Sequence, residues 1–194
     1  KFDIRIISNF SYPVENYVKL LKESNYYIKS IYLTYHEGSI SKPKFINKLI
    51  KLNTEIKNNT EILVRQVVPV EASKITEFND FRNELKGIGI ELFPLRLVEK
   101  EKNQNKPVDY TKIIDENIYN EIFHDYPWNP NRKDTVCPAG YEYIYISPEL
   151  NVYTCIPYKR LKNGFMGNLL NDIIQIKKLP QICSLKYCDC VPGR

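Results

Sequence analysis

Apolar positions along the first hundred residues alternate between two spacings. Phe2-Asp3-Ile4-Arg5-Ile6-Ile7-Ser8 packs its apolar side chains as closely as a strand does. Pro13 then opens a stretch with Val14, Tyr17, Val18 and Leu21 at i, i+3, i+4 and i+7, the stripe of an amphipathic helix. Ile28 to Tyr35 is rich in β-branched and aromatic residues and predicts a second strand. Ser41 is placed to cap a helix whose positions Phe45, Leu49, Leu52 and Ile56 fit a 3.6-residue period. Glu61 to Val68 predicts a third strand, Ser73 to Leu85 a third helix ended by Gly87, and Ile88 to Leu97 a fourth strand. The strand starts, near residues 2, 28, 61 and 88, are about 26 to 33 residues apart, the length of one βα unit. That alternation predicts an α/β chain with a parallel sheet and right-handed helical crossovers.

Four such strands are fewer than a closed parallel barrel of eight or a doubly wound sheet of five or six requires. The pattern therefore predicts part of a larger sheet. A first strand as apolar as Ile4 to Ile7 is a pairing hazard at an open edge, so a cover is expected from an upstream barrel portion or a partner chain. Past Val98 the pattern changes. Glu99 to Pro107 reads as a polar connector, Ile113 to Phe123 as a short helix, and Tyr126 to Pro130 as an irregular loop. Tyr143 to Ser147 and Asn151 to Cys155 predict two strands joined around Pro148-Glu149-Leu150, and Leu169 to Ile176 predicts a helix. The expected organisation is a βα unit over 1–97, a connector over 98–136 and a cysteine-bearing domain over 137–194.

Composition adds little to this. The chain has 194 residues, 43% hydrophobic and 26% charged, which is ordinary globular usage and excludes a wholly disordered chain. No apolar run approaches the roughly 18 residues of a membrane-spanning helix. The first five residues alternate charge and apolar character, unlike a secretory signal. A cytoplasmic protein without membrane contact is expected. The net charge of +5 is mild and the lysines are spread along the chain, so a solvated surface rather than a nucleic-acid groove is expected.

The cysteines change the picture. All five, Cys137, Cys155, Cys183, Cys188 and Cys190, lie in the last third of the chain. An odd number leaves a complete disulfide framework one short, and a reducing compartment disfavours disulfides. The spacing is C-x17-C, then 27 residues, then C-x4-C-x-C. A hairpin brings its two ends together, so Cys137 and Cys155 are expected to face one point, with the tail returning to supply further thiolates. Four convergent thiolates suit zinc or an iron–sulfur cluster. Paired C-x2-4-C knuckles, common at zinc sites, are absent from the first half, and lone cysteines across long gaps favour a cubane cluster. The plainer alternative is a set of buried free cysteines packed as small hydrophobes. With two histidines in the chain, Ser-His-Asp and Cys-His arrangements have little to draw on. His36 beside Glu37 ends a predicted strand, where parallel α/β proteins place ligands, and Asn9 and Arg65 are similarly placed. A strand-end histidine bonded to backbone and an arginine in an ion pair are the plainer readings. The tyrosines of 31–35 and 141–145 read as packing.

Cys137-Pro138-Ala139-Gly140, the segment Ile144-Tyr145-Ile146-Ser147-Pro148-Glu149-Leu150-Asn151-Val152-Tyr153-Thr154-Cys155, then Met166-Gly167-Asn168-Leu169 and the cysteine-rich end resemble the SPASM/twitch auxiliary-cluster region of radical S-adenosylmethionine enzymes. Leu150-Asn151 stands where that family usually has a turn glycine, and Asn151 is expected to tolerate the positive φ. Five cysteines rather than seven imply one auxiliary cluster, the twitch-like arrangement. Ile6 to Ser11, Leu33 to Glu37 and Val64 to Pro69 resemble the third to fifth barrel strands of the family. The C-x3-C-x2-C motif that holds the cofactor-cleaving cluster appears nowhere in the chain. The resemblance thus implies a partial (βα) barrel of about four parallel strands followed by a small cysteine-rich β-hairpin/helix iron–sulfur domain. It implies one auxiliary 4Fe-4S cluster on Cys137, Cys155, Cys183, Cys188 and Cys190 (one of the five to spare), with zinc as a substitute. It places Asn9, His36 and Arg65 on the side facing S-adenosylmethionine. The complete protein would be an oxidoreductase acting on an unidentified substrate, with peptides a common class. The alternative is a non-catalytic, metal-stabilised binding module that lacks the cofactor-cleaving cluster.

Overall fold

The computed structural model describes residues 4–25, 27–56, 60–101, 104–124, 133–156, 159 and 164–185. Cys188, Cys190 and the Tyr126 to Pro130 loop lie outside them. The chain is α/β and divides into two compact units: Lys1–Leu97 with Tyr110–Tyr126, and Val98–Asp109 with Pro127–Arg194.

The first unit repeats β then α as the spacing predicts: β1 (Ile4–Ser8), α1 (Val14–Glu23), β2 (Ile28–Thr34), α2 (Lys42–Ile56), β3 (Glu61–Val67), α3 (Ala72–Gly87) and β4 (Glu91–Leu95). The sheet order is β1-β2-β3-β4 and every neighbouring pair is parallel. In β2 the period of two sends Ile31 and Leu33, then Tyr35 just beyond the strand, into the core. The buried stripes of the helices meet that face. The Phe45 ring of α2 lies 5.0 Å from Tyr35, 5.5 Å from Phe10 and 6.3 Å from Phe81 of α3, while Tyr17 of α1 stands 5.2 Å from Phe10. Such edge-on ring pairs add to the burial term. The opposite face carries Tyr32, Thr34, Arg65 and Phe93, all half-buried, with Ile7 at 53% and Val67 at 37% exposure. Chain order equal to sheet order, with the three crossover helices gathered on one face, is winding in a single direction. Doubly wound sheets reverse direction and cover both faces. β1 pairs only with β2 among the described residues and leaves Ile4 and Ile7 about half exposed.

The fourth strand is shorter than its apolar run. Ile88 and Gly89 close the end of α3, with the Ile90 N–H donating to Leu85 O at 2.9 Å, so pairing begins only at Glu91. The stretch expected as a connector is divided between the units. Its later part, a 3₁₀ turn at Tyr110–Lys112 and α4 (Glu116–Phe123, capped by the Asp115 carboxylate on Asn117 N–H at 2.8 Å), belongs with the sheet. Tyr110 is wholly buried. Its hydroxyl donates to Val68 O and accepts from Leu97 N at 3.2 Å, tying the ends of β3 and β4. Tyr110→Phe leaves the buried Val68 carbonyl without that donor and is expected to cost about 1–3 kcal/mol. The check is a lower denaturation midpoint at an unchanged m-value.

In the second unit the polar stretch forms an antiparallel hairpin, β5 (Val98–Glu101) with β6 (Gln104–Pro107), in which Glu99 stands opposite Lys106. Opposite charges across a ladder are favourable, a signal that polar composition hides. β7 (Val136–Cys137) pairs with β11 (Gln181–Ile182), and β8 (Tyr145–Ile146), β9 (Asn151–Tyr153) and β10 (Phe165–Asn168) form a sheet ordered β10-β9-β8. Leu169 to Ile176 is not a helix. The Asn168 side chain accepts from Leu170 N at 2.9 Å, and the Asn168 backbone N–H donates to the Asp172 carboxylate at 2.7 Å. Side chains that bond the backbone locally compete with helix, and Leu170 and Ile173 are left 77% and 92% exposed. The left-handed residue of the β8–β9 turn is Leu150 (φ 63), not Asn151. Asn151 is spent elsewhere, accepting from Asn168 Nδ2 at 3.0 Å. Among the described residues no helix is long and apolar enough to cross a membrane.

Candidate functional site

Three of the five cysteines are described, and none of the three is in a disulfide. Cys155 and Cys183 are buried and Cys137 is half-buried. The hairpin does not carry Cys137. That residue sits on β7, opposite Gln181 of β11. Cys183 follows β11 directly and is pinned from both sides: its N–H donates to Thr135 O at 2.9 Å, and its carbonyl accepts from Asp134 N at 2.8 Å. Cys155 follows β9, the middle strand of the three-stranded sheet.

Cys137 has a phenol for a neighbour. The Tyr143 hydroxyl is 3.7 Å from Cys137 Sγ. Burial pushes this phenol well above its ordinary range, and the sulfurs of Cys137, Cys155 and Cys183 push in the same direction, so all three lie within its electrostatic reach. A tight loop sets the phenol there. Gly140 N donates to Tyr143 O at 2.7 Å and Ala139 bridges Tyr143. Gly140 itself has φ 81, with Lys177 Cδ and Thr154 Cγ2 each 3.1 Å from where a Cβ would stand. Gly140→Ala is expected to cost about 1–2 kcal/mol for the left-handed backbone alone, with the crowding added. Faster hydrogen exchange confined to residues 134–146 and 177–183 would check it.

The donor chemistry, three free thiols from three separate segments of one unit, is of the kind that suits a soft thiophilic centre. The spacing is looser than a closed site. Among the described residues no group of three or more His, Cys, Asp or Glu side chains is set closely enough to hold a metal ion.

Asn9, His36 and Arg65 lie at the C-terminal ends of three adjacent strands in the first unit. Asn9 is exposed, and its side chain accepts from Ser11 N at 3.2 Å. The loop beyond it is held firmly. Phe10 is buried at φ 57, and Lys48 Nζ donates to Phe10 O at 2.6 Å and to Tyr12 O at 2.9 Å. His36 is exposed, and its carbonyl accepts from Ser39 N at 3.1 Å. Arg65 is half-buried opposite Thr34, with its guanidinium 6.0 Å from the Tyr32 ring centroid. The fold thus sets these three residues on one rim. Lys48 and Tyr143 are not marked by the sequence: one is a lysine on an amphipathic helix, the other the middle member of a Tyr-x-Tyr-x-Tyr run. Only its position beside Cys137 separates Tyr143 from Tyr141, which is 39% exposed. Comparison of the chain with protein-family models, with curated proteins and with solved structures finds no match.

Proposed function

We propose that this chain is the partial-barrel and auxiliary-cluster portion of a radical S-adenosylmethionine enzyme. The observation that carries the reading is the β7–β11 pairing, which brings the Cys137 and Cys183 segments together in the unit that also holds Cys155. The singly wound four-stranded sheet, with its helices on one face, supports the barrel half of the proposal. Cys137, Cys155 and Cys183 would hold one 4Fe-4S cluster together with a thiolate from Cys188 or Cys190. Such a cluster, when bound, supplies one-electron transfer or an iron site that anchors substrate.

The chain's own residues do the rest. β7–β11 pairing holds the Cys137 and Cys183 segments side by side, so hydrogen bonds of the chain itself share in closing the long gap between them. Burial of Cys155 and Cys183 keeps water and oxidants from two of the sulfurs. Asn9, His36 and Arg65 supply an amide, an imidazole and a guanidinium on the strand-end rim, suited to the ribose, adenine and carboxylate of S-adenosylmethionine. Substrate is proposed to be a peptide, and the setting a reducing, cytoplasmic one.

Anaerobic reconstitution of the chain with ferrous iron and sulfide is expected to give a brown protein with about four irons per chain. Uptake of iron and zinc no greater than in a variant with all five cysteines replaced by Ala would sink the proposal.

A further inference from the structure

The parallel sheet has two edges. Its order is β1-β2-β3-β4, so among the described residues β1 and β4 each pair on one side only. Backbone N–H and C=O groups along such edges invite further pairing. The face turned away from the helices adds an apolar surface to those edges. Strand register runs Ile7–Tyr32–Leu63–Glu91 across it, followed by Thr34–Arg65–Phe93 and Val67–Leu95. Ile7 and Val67 on this face are 53% and 37% exposed.

Four parallel strands wound in one direction, with their helices on one face, are half of a closed eight-stranded βα barrel. A second copy has the polarity to supply the other half. Under a twofold axis along the barrel, β4 of each copy meets β1 of the other. Every pair then stays parallel and every helix stays outside. Both edges are paired and the open face is filled at once, whereas pairing two β1 strands would leave β4 and the face uncovered. The stagger also agrees. An eight-stranded βα barrel shifts register by eight residues per circuit, hence by about four per copy. An even shift keeps inward side chains inward. Right-handed twist and crossovers direct the shift toward the N-terminal end of the next strand. Carried onward, the register sets Leu95 of one copy beside Ile7 of the other and Phe93 beside Arg5, with Glu91 the inward residue before Phe93. Leu95 meets an apolar side chain, and Glu91 and Arg5 carry opposite charges. We propose that β1, β4 and the open sheet face bind a second copy of this chain, the two closing an eight-stranded parallel barrel. Closure brings a second Asn9, His36 and Arg65 to the strand-end rim and completes it as a ring. The inference does not rest on the metal-centre reading.

The test uses the full chain as wild type, as Ile7→Asp, as Leu20→Asp and as the double variant Ile7→Cys/Leu95→Cys. Analytical ultracentrifugation of the wild type is expected to give twice the chain mass. Ile7→Asp buries a carboxylate in each of the two seams, and the dissociation constant is expected to rise about a hundredfold. Leu20, 44% exposed on α1, is the control, and Leu20→Asp is expected to leave the dimer unchanged. Within one copy, positions 7 and 95 stand on opposite edges of the sheet. Three strand spacings, roughly 14 Å, are too far for a disulfide. Oxidation of the double variant is therefore expected to link two chains through a 7–95 bond, identified by peptide mass mapping and absent from each single variant. A wild type that sediments as a monomer overturns the inference and leaves the edges to another segment or protein. A dimer that keeps its affinity in Ile7→Asp, or that yields no 7–95 bond, overturns it equally. If Ile7→Asp fails to fold, the 7–95 bond decides alone. Failure here leaves the metal-centre reading standing, since iron uptake is read separately.

Discussion

Cys137→Ala and Cys155→Ala are each expected to abolish stoichiometric iron uptake and to loosen the second unit while sparing the parallel sheet. Metal binding to deprotonated thiols contributes about 10 kcal/mol or more in small zinc sites. That scale is as large as the whole stability of many domains. The second unit has little else of comparable weight. Its strands are two to four residues long, and Val136, Leu170, Ile173, Leu179 and Ile182 are all at least 60% exposed. Iron and zinc analysis checks the first part of the expectation, and amide exchange over 134–185 against 28–95 checks the second. The comparison is made with and without metal. Removing a buried thiol as mere packing would loosen both forms alike, whereas loss of a ligand loosens only the form that should have held metal. Full iron and zinc loading in both variants would show that these cysteines are packed hydrophobes.

Phe45→Ala is expected to destabilise the first unit by about 3–5 kcal/mol, the range for removing a large aromatic side chain from a packed core. Phe45 is wholly buried and its ring touches those of Phe10, Tyr35 and Phe81. Its loss opens a cavity between α2, α3, the end of β2 and the loop that follows β1. That loop is the one Lys48 clamps beside Asn9, so the strand-end rim loosens together with the core. Phe45→Leu refills most of the space and is expected to cost less. Denaturant unfolding followed by circular dichroism distinguishes the two. A Phe45→Ala protein within 1 kcal/mol of wild type would mean that the ring cluster does not organise this unit.

Side-chain spacing alone determined most of the first unit. Val14, Tyr17 and Leu21, then Phe45, Leu49, Leu52 and Ile56, then Ile75, Phe78, Phe81 and Leu85 lie on buried helical faces as their spacing predicts. The alternation of Ile31, Leu33 and Tyr35 likewise chose the covered face of the sheet. These features are local: a few neighbours at one period carry them, and the βα repeat length then forces parallel pairing. The clustering of cysteines, and hence the proposal of a thiol centre, was also legible in the sequence.

The manner of convergence was not. β7 and β11 are two residues each, too short to show a period, and their pairing joins residues separated by more than 40 positions. Backbone hydrogen bonds of that kind depend on what the rest of the unit has already built. The same holds for Leu169 to Ile176, where apolar spacing favoured a helix and Asn168 and Asp172 bonded the backbone into a turn instead. It holds for Leu150 as well, which takes the left-handed position at the end of a turn closed on Ser147 O, while Asn151 is already in the β9 ladder opposite Asn168. Tyr143 became a neighbour of sulfur rather than a packing residue only when the loop closed on Gly140. Periodicity records which side of an element faces inward, whereas the meeting of distant segments is decided by long-range hydrogen bonds and the space left between packed side chains.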